Sequence, residues 1–159
     1  MSTSEKRAWA EVVIWSLLLA WVLVRFTDGI EILGQSLGPR IVEQGVGGLV
    51  AIYVAVGILA AIAHLAVQGY FSSRGEDTEF RDERDRAIET RANQVGYWFG
   101  IVALNVIIVH VLATEATANG DGRPGTLLTA TGVVFVLLAA LIAQEIVRNA
   151  ALLVLYRRS

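Results

Sequence analysis

Six polar or ionisable residues stand inside otherwise apolar sequence: Glu11 in the run 8–26, His64 in the run 46–71, and Gln144, Glu145, Arg148 and Asn149 in the run 127–156. A charge near the centre of a membrane helix costs at least about 2.5–3.5 kcal/mol on insertion scales, so such residues pair with one another, face a bundle interior or line water. A carboxylate, an imidazole and a guanidinium are the groups that a proton, ion or cation site uses. They are equally the groups that bind helices together in lipid. Glu145 and Arg148 are three apart, so on a helix they pair without any tertiary assumption. The resulting expectation is a buried cluster in which Arg148 pairs with Glu11 or Glu145 and to which His64 contributes.

Other chemistries find no residues. There is no cysteine, which removes disulfides, thiol catalysis, thiolate zinc and iron–sulfur clusters. The two histidines, His64 and His110, fall toward opposite ends of their runs and no HExxH or CxxCH occurs, so zinc-protease chemistry and haem within one chain are not expected. Ser16 stands alone in the first run and reads as a backbone partner rather than a nucleophile. No catalytic residue, metal ligand or cofactor is expected, and the chain does not read as an enzyme. A net charge of −2 supplies no clustered basic surface for phosphates, so nucleic acid is not an expected partner.

The elements that position these residues follow from hydropathy. The chain has 159 residues, 55% of them hydrophobic, and a mean hydropathy of +0.57. Runs at 8–26, 46–71, 95–114 and 127–156 meet or approach the roughly 20 apolar residues that cross a hydrocarbon core. The expected fold is all-α, a four-helix transmembrane bundle forming one domain over residues 1–159. Glu5-Lys6-Arg7 resembles the start of a signal peptide, but Trp9, Glu11, Trp15 and Trp21 punctuate the first run and no small-x-small site closes it, which favours a retained helix. Lys6 and Arg7, then Arg74, Arg81, Arg84, Arg86 and Arg91, then Arg157 and Arg158 lie on one side of the spans, against Arg25, Arg40 and Arg123 on the other. The positive-inside rule then places both termini and the central loop in the cytoplasm of a cell whose inner membrane holds the protein.

Small residues set expectations for packing, because lipid tails give helices no hydrophobic reason to associate and close backbone approach replaces it. The second run, with Gly47, Gly48, Ala51, Ala55, Gly57, Ala60, Ala61 and Ala63, is expected at the centre of the bundle. Gly96 and Gly100 share one face of the third and are expected to pack within the molecule. The fourth run is about 45 Å long as a helix, more than the bilayer needs. Between the first two runs, residues 30–37 read as a short interfacial helix.

The densest polar stretch is residues 77–94, in which Arg81 and Asp85, Asp82 and Arg86, and Glu83 and Arg86 recur three and four apart. That spacing predicts a charged cytoplasmic helix between the second and third spans, capped at Asp77 or Thr78, that lies on the third span or runs directly into it. Asp82-Glu83-Arg84-Asp85 followed by Ile88 and Ala92, and the ending Leu155-Tyr156-Arg157-Arg158, resemble a family of small bacterial and archaeal integral membrane proteins of undefined function that carry a DER-type motif before a membrane helix. The resemblance runs from Asp82 to the C-terminus. It implies a membrane location and no catalytic residues.

Two functions follow as expectations. One is a non-enzymatic accessory, structural or regulatory subunit that meets a membrane or cytoplasmic protein partner, or a second copy, through Asp82, Glu83, Arg84, Asp85, Arg86 and Ile88. The other is a small oligomeric transporter or channel that uses Glu11, His64, Glu145 and Arg148 as its ion or proton site. In both readings the lipid bilayer is the solvent.

Overall fold

The structure, a computed structural model, describes residues 3–27, 41–73, 83–121 and 129–158. Among these residues it has four helices: α1 (Thr3–Phe26), α2 (Val46–Ser73), α3 (Glu83–Asp121) and α4 (Ala130–Arg158). All four are long and apolar enough to cross a membrane. The expected interfacial helix at 30–37 and residues 77–82 of the charged stretch, Asp82 included, lie outside the described residues.

Local chemistry accounts for the helix ends. Glu5 in the first turn of α1 and Arg25 in the last, like Glu83 and Asp85 at the start of α3 and Arg157 and Arg158 at the end of α4, carry the signs that complement a helix dipole. The Thr129 hydroxyl accepts from the Gly132 amide at 3.1 Å and caps α4. Past α1, Thr27 pairs with Ile41 and the Val42 amide donates to the Phe26 carbonyl at 2.9 Å, so the two ends of the connection between α1 and α2 are tied together. The Gln44 amide then donates to the buried hydroxyl of Thr131 at 3.0 Å, fixing the entry to α2 against α4.

Neighbouring helices run antiparallel. Phe26 at the end of α1 stacks on Phe135 near the start of α4 with centroids 5.3 Å apart, and Arg7 near the start of α1 lies 5.1 Å from the ring centroid of Phe71 at the end of α2. Packing is concentrated between α1 and α4 and between α3 and α4, with α2 held mainly by α1. The resulting order is α2, α1, α4, α3. The core of Leu18, Val22, Phe26, Leu49, Ile52, Val56, Leu138 and Ile142 fills the half of the bundle near the α1–α2 connection.

This order corrects the expectation that the second span lies at the centre of the bundle. The central helix is α4. A Cβ added at Gly47, Gly57 or Gly69 of α2 meets nothing within 4 Å, so these small residues serve no interface within the molecule. The physical reason is that apolarity marks burial only in water; in lipid the most apolar helix is the one best suited to the outside. α2 accordingly exposes Val50, Val54, Ile58, Ile62 and Leu65. The glycines of α3 behave as expected. A Cβ at Gly96 would stand 3.0 Å from that of Arg148, and one at Gly100 would run into the Gln144 side chain.

The described part of the charged stretch is no separate element. It forms the first three turns of α3, which has 39 residues and is about 58 Å long at 1.5 Å per residue. α3, rather than α4, is therefore the helix that most exceeds the bilayer.

Candidate functional site

The end of the bundle opposite the apolar core holds the polar residues. About two turns from the start of α1, Glu11 is mostly covered, with its side chain 14% exposed. Its Oε2 accepts from the Trp15 indole N–H at 2.9 Å, an i,i+4 contact along α1. Its Oε1 faces His64 Nδ1 of α2 at 3.2 Å. The other ring nitrogen of His64 lies 3.1 Å from Gln68 Nε2, one turn further along α2.

These contacts suit one tautomer of a neutral His64. With a neutral ring, Nδ1–H donates to Glu11 and Nε2 accepts from the Gln68 amide, so every contact is satisfied. Protonation puts an N–H on Nε2, and the Gln68 amide must turn to present its oxygen. Glu11, His64 and Gln68 thus form one hydrogen-bonded chain across α1 and α2.

The second cluster joins α3 and α4. Arg148 donates from Nε to Asn93 Oδ1 at 2.7 Å and from Nη1 to Glu145 Oε2 at 3.0 Å. Asn149 is buried and its amide donates back to the Glu145 carbonyl at 2.9 Å, an i,i+4 contact that leaves the helix intact. Gln144 packs over Gly100. The pairing of Arg148 is therefore with Glu145 and Asn93, and Glu11 takes His64 instead.

The two clusters border one polar cavity of about 420 Å³, lined among others by Glu11, His64, Arg148 and Asn149. Arg7 from α1 and Asp85 and Glu89 from α3 complete its charged wall. Ser4 of α1, Tyr156 of α4 and Asp85 of α3 line the same cavity, so the three helices come together there. The two segments that carry the sequence resemblance, around Asp85 and around Tyr156, meet there. Comparison with protein-family models, with curated proteins and with solved structures gave no match.

Of the residues expected on a docking surface, Glu83, Arg84 and Arg86 are exposed, whereas Ile88 is buried at 6% exposure and Asp85 is turned to Tyr156. Ile88 with Ala92, which is also buried, seats the start of α3 on the bundle. This corrects its placement on the displayed face: an apolar residue within a charged stretch marks the inner side of the helix. Among the described residues no three histidine or carboxylate side chains converge as metal ligands. His110 lies far along α3 from the level of His64, beyond Asn105, whose amide bonds the Ile101 carbonyl at 2.8 Å.

Sequence reasoning missed Trp15, Gln68 and Asn93 as partners, and Arg7 and Glu89 as cavity residues. Trp15 and Gln68 each stand four residues from the group they bind, a spacing readable on a helix. Asn93 carried no such signal, because its partner lies on another helix.

Proposed function

We propose that the protein is a non-enzymatic subunit of a prokaryotic cytoplasmic membrane, oriented with both termini inside, that docks a protein partner through the start of α3. The observation that carries this reading is the division of that segment into two faces: Ile88 and Ala92 are buried on the bundle while Glu83, Arg84 and Arg86 are displayed. Because the segment continues without a break into the apolar part of α3, the charges are held on a rigid rod, and a partner meets them without the entropy cost of ordering a loop. The position of Lys6, Arg7, Arg157 and Arg158 at the same end supports a cytoplasmic setting for it.

The test is co-purification from native membranes with the wild-type chain and with Arg84→Glu/Arg86→Glu. A stoichiometric partner that is retained by the first and lost by the second, with the helical content of both unchanged, supports the reading. A pure homo-oligomer that carries protons across liposome membranes contradicts it.

A second reading is favoured by one specific observation, the Glu11–His64–Gln68 hydrogen-bonded chain beside a polar cavity. His64 can take a proton while keeping its contact with Glu11, and Gln68 meets the added N–H once its amide turns. Under this reading the protein is a small oligomeric transporter or channel, Glu11→Gln folds normally, and pH-dependent flux in liposomes is lost.

A further inference from the structure

Because α2 and α3 do not pack against each other, α4 shows one face between them. Two apolar grooves run along that face. One, of about 490 Å³, lies toward α2 and is lined by Trp15, Tyr53, Gly57 and Leu138. The other, of about 260 Å³, lies toward α3 and is lined by Tyr97, Gly100, Ile101 and Leu104. Leu141 and Gln144 of α4 border both, so the grooves flank a single ridge and meet at one level.

The polar cavity begins one turn further on. Stepping from the larger groove to the cavity, α1 passes from Trp15 to Glu11, α2 from Ala60 to His64 and α4 from Glu145 to Asn149. On α1 and α2 this step exchanges an apolar residue for a polar one, while α4 is polar at both levels, so the polar cavity adjoins the polar edge of the groove. A site with two apolar arms and one polar end matches a two-chain amphiphile.

The charges select its headgroup. Arg7 and Arg148 stand on the same cavity as Glu11, Asp85 and Glu89. A purely anionic group would meet three carboxylates, and a purely cationic one two guanidiniums. A group carrying both signs is complemented by both. Arginine recognises phosphate oxygens by its fork of N–H groups, and Arg148 commits two of its five to Asn93 and Glu145. For the cationic part the cavity offers carboxylate acceptors rather than an aromatic cage, which suits an ammonium with three N–H donors over a quaternary one.

We propose that this cleft binds one phospholipid whose headgroup joins a phosphate to a primary ammonium, with its acyl chains in the two grooves beside Leu141. The site is independent of the docking surface at Glu83, Arg84 and Arg86, so either can fail without the other.

Native mass spectrometry of the full chain, released from bilayer nanodiscs holding equal fractions of phosphatidylethanolamine, phosphatidylcholine and phosphatidylglycerol, tests it. One phosphatidylethanolamine retained in preference to the other two is the expected result. Arg148→Gln lowers that retention about tenfold, as befits the loss of a charge-assisted hydrogen bond. Gly57→Leu lowers it as well by filling the larger groove, and because a Cβ at Gly57 meets nothing, this variant keeps the bundle intact and decides the matter if Arg148→Gln fails to assemble. Equal retention of the three lipids, retention of none, preference for phosphatidylglycerol, or undiminished retention by Gly57→Leu would overturn the proposal.

Discussion

Glu11 accepts two hydrogen bonds, one from its own helix and one across to α2, and the second is worth measuring by itself. Interhelical hydrogen bonds in membrane proteins average about 0.6 kcal/mol in double-mutant cycles and reach about 1.7 kcal/mol. A cycle on Glu11→Leu and His64→Leu, followed by unfolding in mixed micelles, is expected to give a coupling in that range, and zero coupling would mean that the contact contributes nothing. Glycines provide a sharper contrast. Gly96→Ala forces α3 and α4 apart at Arg148, at a cost of about 1–3 kcal/mol typical of overpacking, whereas Gly57→Ala, with open space around it, stays within about 0.5 kcal/mol of wild type. Residue by residue, the sequence carried part of this pattern. The Glu145–Arg148 pair was legible because both partners sit on one helix three residues apart. The choice of His64 as the partner of Glu11 was not, since it depends on which helices are neighbours and how each is rotated.

At the end of the bundle that holds the apolar core, Phe26 on Phe135 joins α1 to α4, and Thr131 at the start of α4 holds Gln44 just before α2. Thr131 is 1% exposed, so Thr131→Val leaves the Gln44 amide without its acceptor while preserving shape. A loss of about 1–2 kcal/mol in the same unfolding measurement is expected for it. The four apolar runs gave the helices directly, because 20 apolar residues have few alternatives in lipid. Their packing order was misjudged for the same reason. The abundance of glycine and alanine in α2 suggested a central helix, yet a small residue contributes to packing only where another helix approaches it, and hydropathy is silent on that. α3 shows the opposite case: with no breaker between Gln94 and Val95, residues 83–94 of the charged stretch form one rod with the span rather than an element of their own.

The whole bundle places the start of α1, the end of α2, the start of α3 and the end of α4 at one end, where the polar cavity lies, and the apolar core at the other. If that polar end faces the cytoplasm, Lys6→Cys reacts with a membrane-impermeant thiol reagent only in inverted vesicles and Thr27→Cys only in intact cells, a comparison made simple by the lack of native cysteines. The packing order, and with it the lipid cleft, rests on one claim, that α4 is central and α2 and α3 stand apart on its two sides. Disulfide formation between paired cysteines in native membranes addresses it most directly. Gly96→Cys/Arg148→Cys is predicted to cross-link rapidly within one chain, while Gly57→Cys/Gly100→Cys stays reduced. Intrachain cross-linking of the second pair at the rate of the first would show α2 packed on α3 and would contradict the account.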